Sequence, residues 1–122
     1  MVEDVAETVA WYESRLGAEQ TSEIESDGDV VWAQVERDGV RFMFQRRDSM
    51  ESELPSLADV PIGGSLSIYV HVDDVEALGA ELADVERALE MRTSEYGLRE
   101  FAIRDCNGYV LWFGEILEDW SP

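Results

Sequence analysis

The sequence predicts an α+β fold made of two repeated units, each a strand, a helix and three further strands (βαβββ), with the first strand of the first unit largely missing. Three observations predict it. Two short stretches carry apolar residues at helical spacing, and the stretches around them alternate apolar and polar residues between Asx-Gly turns. The two halves also repeat. Val2-Glu3-Asp4-Val5 corresponds to Val72-Asp73-Asp74-Val75. Asp38-Gly39 with Arg41-Phe42-Met43-Phe44 corresponds to Asn107-Gly108 with Val110-Leu111-Trp112-Phe113, at an offset of about seventy residues. The units span approximately residues 1–47 and 64–116 of one domain, residues 1–122, joined by a linker over residues 48–63.

Taken in order, Val5, Val9, Tyr12 and Leu16 recur at helical spacing, so Val5 to Leu16 reads as an amphipathic helix capped by Asp4 and ended by Gly17. Glu19–Glu25 reads as a short polar strand, and Asp27-Gly28-Asp29 turns the chain. Val30–Glu36 alternates Val31, Ala33 and Val35 against Trp32, Gln34 and Glu36. After the Asp38-Gly39 turn, Val40–Arg46 sets Val40, Phe42 and Phe44 against Arg41, Met43 and Gln45.

Arg47 to Gly64 lacks sustained periodicity, holds two of the three Pro and ends in Gly-Gly, which predicts a connector with at most one helical turn. Ser65–Val72 alternates Leu66, Ile68, Val70 and Val72 against Ser67, Tyr69 and His71. A second amphipathic helix follows Asp73-Asp74, with Val75, Leu78, Leu82 and Val85 on one side. Leu89–Ser94 is a candidate strand. Arg99–Arg104 and Tyr109–Gly114 then form a hairpin about Asp105-Cys106-Asn107-Gly108.

At 122 residues the chain is long enough for a single core, and 45% hydrophobic residues with four each of Trp, Tyr and Phe argue against disorder. Charge is lopsided: 28 acidic residues face nine basic ones, a net of −19, and every basic residue is Arg. Such a surface repels nucleic acid and anionic membranes, and Arg46-Arg47 is the only clustered basic candidate. Carboxylate in this excess without Lys reads as adaptation to concentrated salt; the alternative is an acidic cytosolic protein. A melting temperature that rises with KCl separates the two. The one cysteine, Cys106, has no internal disulfide partner, and beside Asp105 its thiol is not expected to be a nucleophile. The acidic first residues, MVEDVAETVA, do not form a signal peptide, and no apolar run is long enough to span a membrane, so a cytoplasmic location is expected.

The closing stretch Glu95 to Glu115 resembles the vicinal oxygen chelate superfamily of glyoxalase, bleomycin-resistance and dioxygenase proteins. The residues that carry the resemblance are Tyr96-Gly97-x-Arg99-Glu100-Phe101, then Asp105-x-Asn107-Gly108-Tyr109 and an apolar strand ending in Glu115. The duplicated unit extends it over nearly the whole chain. Two departures stand out. Cys106 occupies the position where members usually carry Pro, and only Met1–Glu3 stands where the first unit's opening strand belongs. Either the coding sequence begins upstream of Met1, or the first sheet is short a strand and exposes an edge that a second chain could cover.

The resemblance implies a curled mixed sheet around a cleft. With Val31, Ala33, Val35, Phe42, Phe44, Ile68, Val70, Val72, Phe101, Ile103, Leu111 and Phe113 against the helices, the opposite faces line that cleft. The lining is then Trp32, Gln34, Arg41, Met43, Gln45, Ser67, Tyr69, His71, Ala102, Val110, Trp112 and Gly114. The superfamily's enzymes hold a divalent ion through His and Glu on the first and last strands of each unit. The corresponding positions here are vacant at the missing strand and otherwise Met43, Ser67 and Trp112, none of them a ligand for a hard metal.

The resemblance is therefore greatest to the metal-free, bleomycin-resistance-like members, which sequester a ligand between two subunits. It implies a homodimer that binds a small molecule without a cofactor or catalytic residues. The expected ligand-binding residues are Trp32, Arg41, Met43, Ser67, Tyr69, His71 and Trp112. Bleomycin itself fits poorly, since a cationic ligand needs acidic groups and only Glu36 and Glu100 are candidates on the inner face. Two alternatives remain. One is a lyase, isomerase or dioxygenase with a shifted metal site at His71, aided by Glu115 or Gln45; the other is a structural partner whose cleft another chain fills.

Overall fold

The first helix forms where a cap, an apolar stripe and a stop signal coincide. In the computed structural model, which describes residues 1–64 and 66–117, α1 spans Val5–Leu16. Asp4 Oδ1 accepts the Glu7 N–H at 2.9 Å, satisfying a donor the helix leaves unpaired. At the other end Gly17 adopts φ 62°, which a residue with a Cβ rarely tolerates. The buried stripe is Val5, Thr8, Val9, Tyr12 and Leu16.

The chain falls into two compact units, Met1–Ile62 and Gly63 onward. In unit 1, β1 (Glu19–Ser26), β2 (Asp29–Arg37) and β3 (Val40–Gln45) form an antiparallel sheet in that order. Both hairpins close on Asp-Gly pairs with positive φ, 53° and 85° at Asp27-Gly28 and 50° and 82° at Asp38-Gly39, the geometry that matches strand twist. Ala33, Val35 and Phe44 are buried, and the Tyr12 ring sits 4.7 Å from that of Phe44. Where the repeat places an opening strand, Val2 forms one parallel bridge to Arg46. Val2 N–H donates to Gln45 O and Arg47 N–H donates to Val2 O, both at 2.9 Å.

The connector holds more helix than its sequence predicts. Residues Arg47–Glu53 form α2, and Pro55–Leu57 a 3₁₀ turn. No side chain of α2 is buried, so there is no apolar period to read. Polar contacts fix it instead. Arg47 donates to Glu3 at 2.6 Å, to Glu51 one turn on at 3.3 Å and to the Val60 carbonyl at 3.0 Å.

Unit 2 carries the complete pattern: β4 (Ser67–His71), α3 (Val75–Glu81), β5 (Arg87–Thr93), β6 (Leu98–Arg104) and β7 (Val110–Ile116), with sheet order β4-β7-β6-β5. Ser65, where the sequence places the start of β4, lies outside the described residues. Strand β4 runs parallel to β7, and Val72 N–H donates to Gly114 O at 2.9 Å, matching the Val2 to Gln45 bond of unit 1.

Helix α3 is capped by Asp74, whose Oδ1 accepts the Ala77 N–H at 3.0 Å. It ends earlier than its apolar period: Leu82 and Val85 stay buried but lie in turns beyond Glu81. Arg87 closes that end, donating to the Leu82 and Gly79 carbonyls at 2.8 Å each with its guanidinium 4.5 Å from the centre of the Phe101 ring. In the β6–β7 turn, Asp105 Oδ1 accepts the N–H groups of Asn107 and Tyr109 at 2.8 and 2.9 Å. Among the described residues, no helix is long and apolar enough to cross a membrane.

Candidate functional site

Alternation assigns Val70, Phe101, Ile103, Leu111 and Phe113 of unit 2 to the buried side of its sheet, as their sequence pattern predicts. Ile68, on the outer strand β4, is 38% exposed and departs from it. The opposite face is set by register. Tyr69 lies beside Trp112, which lies beside Ala102; one pleat further, His71 lies beside Gly114, Gly114 beside Glu100, and Glu100 beside Arg92.

These two rows bring the chemistry together. Glu100 is 4% exposed, and its Oε1 accepts the Tyr69 hydroxyl at 2.8 Å. Its Oε2 accepts from Arg92 Nε and Nη2 at 3.1 and 3.0 Å. Tyr69 stacks on Trp112 with ring centres 6.0 Å apart and planes inclined by 21°, and lies 5.2 Å from the His71 ring. Arg92 stands 5.8 Å over the Trp112 ring. Burial, and then the Glu100 carboxylate, push the Tyr69 hydroxyl well above the ordinary tyrosine range, so it stays a hydrogen-bond donor.

Gly114 makes this reach feasible. A Cβ there would stand within 1.9 Å of the Tyr69 hydroxyl oxygen and 2.6 Å of its Cζ, so the phenol crosses β7 over a residue with no side chain. Gly114 and Ala102, expected from alternation alone to line a cleft, are instead buried. The reason is their size: beside the large residues of neighbouring strands, small ones are covered. Beyond Arg92 and Glu100 the face continues into an open depression of about 390 Å³, lined also by Ser94, Glu95, Tyr96 and Leu98.

Of the expected ligand-binding residues, Ser67, Tyr69, His71 and Trp112 belong to unit 2 and Trp32, Arg41 and Met43 to unit 1. In unit 1, Trp32 sits between Ile24 and Gln45, and Met43 beside Gln34. Met43 is 62% exposed, and Arg41 pairs with Glu36 at 3.5 Å. Gln45 is engaged by Ser49 and Glu53 at 2.9 and 2.7 Å. Arg92 is the residue the sequence did not single out. Counting pairs back from the Tyr96-Gly97 turn, Thr93 against Arg99 and then Arg92 against Glu100, reaches it before the irregular register between Leu89 and Arg92 begins.

The donors do not suit a divalent ion. Met43, Ser67 and Trp112, which stand where the resemblance implies metal positions, offer no hard-metal ligand, and Glu115 Oε1 accepts the Val75 N–H at 3.0 Å, capping α3. Both Glu100 oxygens are engaged. Among the described residues, no three His, Cys, Asp or Glu side chains are grouped to hold a metal.

Solved structures share this fold. A bleomycin-binding protein from bleomycin-producing Streptomyces verticillus, complexed with copper(II)-bleomycin, is 26% identical with a TM-score of 0.63, over 97% of this chain and 90% of that one. TnmS3, an antibiotic binding protein from Streptomyces sp. CB03234, is 19% identical with a TM-score of 0.70, over 94% and 88%. A glyoxalase/bleomycin resistance protein/dioxygenase from Nocardioides is 19% identical with a TM-score of 0.76, over 99% and 82%. No curated protein matches the chain. The family described as the Glyoxalase/Bleomycin resistance protein/Dioxygenase superfamily matches residues 1–113, and the chain belongs to that superfamily.

Proposed function

We propose that this protein binds a small, flat, partly apolar molecule on the Tyr69/Trp112 face of unit 2 and sequesters it unchanged, without a metal. The observation that carries the reading is the fixed aromatic pair: Tyr69 is tied by its hydroxyl to a buried carboxylate, which Arg92 holds from the other side. Pre-positioned rings lose little freedom when a flat ligand stacks on them, so more of the contact energy is kept as affinity. The engaged carboxylates support a binding role over a metal-dependent one: both Glu100 oxygens are taken by Tyr69 and Arg92, and Glu115 Oε1 caps α3. Two of the similar structures are of proteins described as bleomycin-binding and antibiotic binding. A homodimer is part of this reading, and sedimentation tests it separately.

Titration with metal-free bleomycin and with an uncharged anthraquinone, followed by tryptophan fluorescence and calorimetry, tests the proposal. Saturable binding of at least one probe is expected, with the probe recovered intact by mass spectrometry. Trp112→Ala should weaken it by about tenfold or more, a loss of about 1.4 kcal/mol. Chemical conversion of the probe, or binding indifferent to Trp112→Ala, would overturn the reading.

A further inference from the structure

The Arg92–Glu100 pair leaves one edge of the guanidinium unused. Glu100 Oε2 accepts from Arg92 Nε and Nη2, at 3.1 and 3.0 Å, so the carboxylate takes the side-on edge of the fork. The end-on edge, formed by the N–H groups of Nη1 and the second N–H of Nη2, has no acceptor among the described residues. It is also held still, because Glu100 is buried and the guanidinium stands 5.8 Å over the Trp112 ring. The Arg92 side chain is nonetheless 52% exposed and lines the depression of about 390 Å³, so the part left open is the end that Glu100 does not cover.

A second donor lies in the same depression. Ser94 Oγ accepts the N–H groups of Tyr96 and Leu98, at 3.3 and 3.2 Å, and among the described residues its own hydrogen has no acceptor. With its lone pairs so used, the hydroxyl is left to donate.

Acceptors are scarce there. One Glu100 oxygen is occupied by Tyr69 and the other by Arg92, which removes this carboxylate as a partner for a cationic ligand. Glu95 is exposed, where water and salt screen its charge. The charged group around the depression that is both fixed and still able to make hydrogen bonds is therefore a cation.

We infer that the ligand of this face carries a carboxylate directly on its ring system, bound by the end-on edge of Arg92 while the rings stack on Trp112. The inference rests on the reading of unit 2 as a flat-ligand site and adds the ligand's charge to it. An end-on guanidinium presents two parallel N–H groups to the two oxygens of a carboxylate, a match that an ammonium does not make and a carboxamide, with one oxygen, only half fills. Because Glu100 already anchors Arg92, little side-chain freedom is lost when the ligand binds. Glu100 also offsets the charge of Arg92, so the discrimination comes from the fork and its two hydrogen bonds.

An anthraquinone carboxylate and the matching carboxamide, alike in shape and stacking surface, supply the test. Both are titrated into the intact protein, followed by tryptophan fluorescence, in about 1 M KCl, where a Debye length of roughly 3 Å suppresses the long-range repulsion of a chain of net charge −19. The carboxylate should bind about fivefold tighter or more. In Arg92→Gln that ratio should fall to about one; in Arg92→Lys, which keeps a cation beside Glu100 and so guards against loss of the fold, it should fall to about twofold or less. A carboxamide that binds as tightly as the carboxylate, and that Trp112→Ala still weakens, would overturn the inference and leave the flat-ligand reading standing. So would a carboxylate preference that Arg92→Lys leaves undiminished. Binding of neither probe would overturn the inference together with the reading it rests on.

Discussion

The two units start from one blueprint and end with different faces. At the position of Trp112 in unit 2, unit 1 has Met43, and at the position of Gly114 it has Gln45. Trp112 is half-buried between Tyr69 and Arg92, while Met43 is 62% exposed. The difference traces to one element: Tyr69 comes from β4, whereas at the corresponding edge of unit 1 the described residues place the single bridge residue Val2. Among the described residues, the pinned aromatic face is found in unit 2.

The largest expected contrast is between the two inner-face glutamates. Glu100 is buried with three hydrogen bonds to its oxygens, so Glu100→Gln should destabilise the fold by about 2–3 kcal/mol, read by urea melts. Glu36→Gln removes an exposed pair at 3.5 Å and should stay within about 0.5 kcal/mol. Equal effects would erase the distinction between the units.

A middle-sized effect is expected at the crossing point. Gly114→Ala must swing Tyr69 off β7 and break its bond to Glu100, at a cost of about 1–2 kcal/mol, whereas Gln45→Ala in unit 1 displaces no ring. In a Tyr69→Ala background the Gly114→Ala cost should fall to near zero, because the clashing atoms are gone.

The smallest effect is on the alkaline side. The folded Tyr69 hydroxyl is raised above its unfolded value of about 10, so above that pH the unfolded state releases its proton first and is favoured. The contribution of this group is fully present below about pH 10 and fades as pH rises through and beyond it. Tyr69→Phe should melt slightly lower at pH 8 and lose less stability than the parent between pH 9 and 11. Identical alkaline profiles would show that the hydroxyl is not held.

Much of this was legible in the residues because local chemistry decided it. Asp4 and Gly17 mark both ends of α1, and the Asp-Gly pairs mark both hairpins of unit 1. The repeat foretold that residues 1–3 supply little of an opening strand for unit 1. What escaped was decided by tertiary contacts. Helix α2 buries nothing and so has no period, and α3 stops at Glu81 although its apolar residues continue, because a turn can bury Leu82 and Val85 as well as a helix can. Alternation placed Tyr69, His71 and Trp112 on one face of the unit 2 sheet, as the register has it. The Glu100–Arg92 partnership needs β5 paired against β6 across the Tyr96-Gly97 turn, which alternation within a single strand does not supply, and the burial of Gly114 depends on where a neighbouring ring lies.

On the proposed reading, these side chains hold a flat ligand and not an ion. Elemental analysis of the protein purified without chelator separates the two. Mn, Fe, Ni and Zn are all expected well below one per chain, with flat-ligand binding intact; one equivalent of any of them, retained through dialysis and lost together with ligand binding in His71→Ala, would contradict that reading.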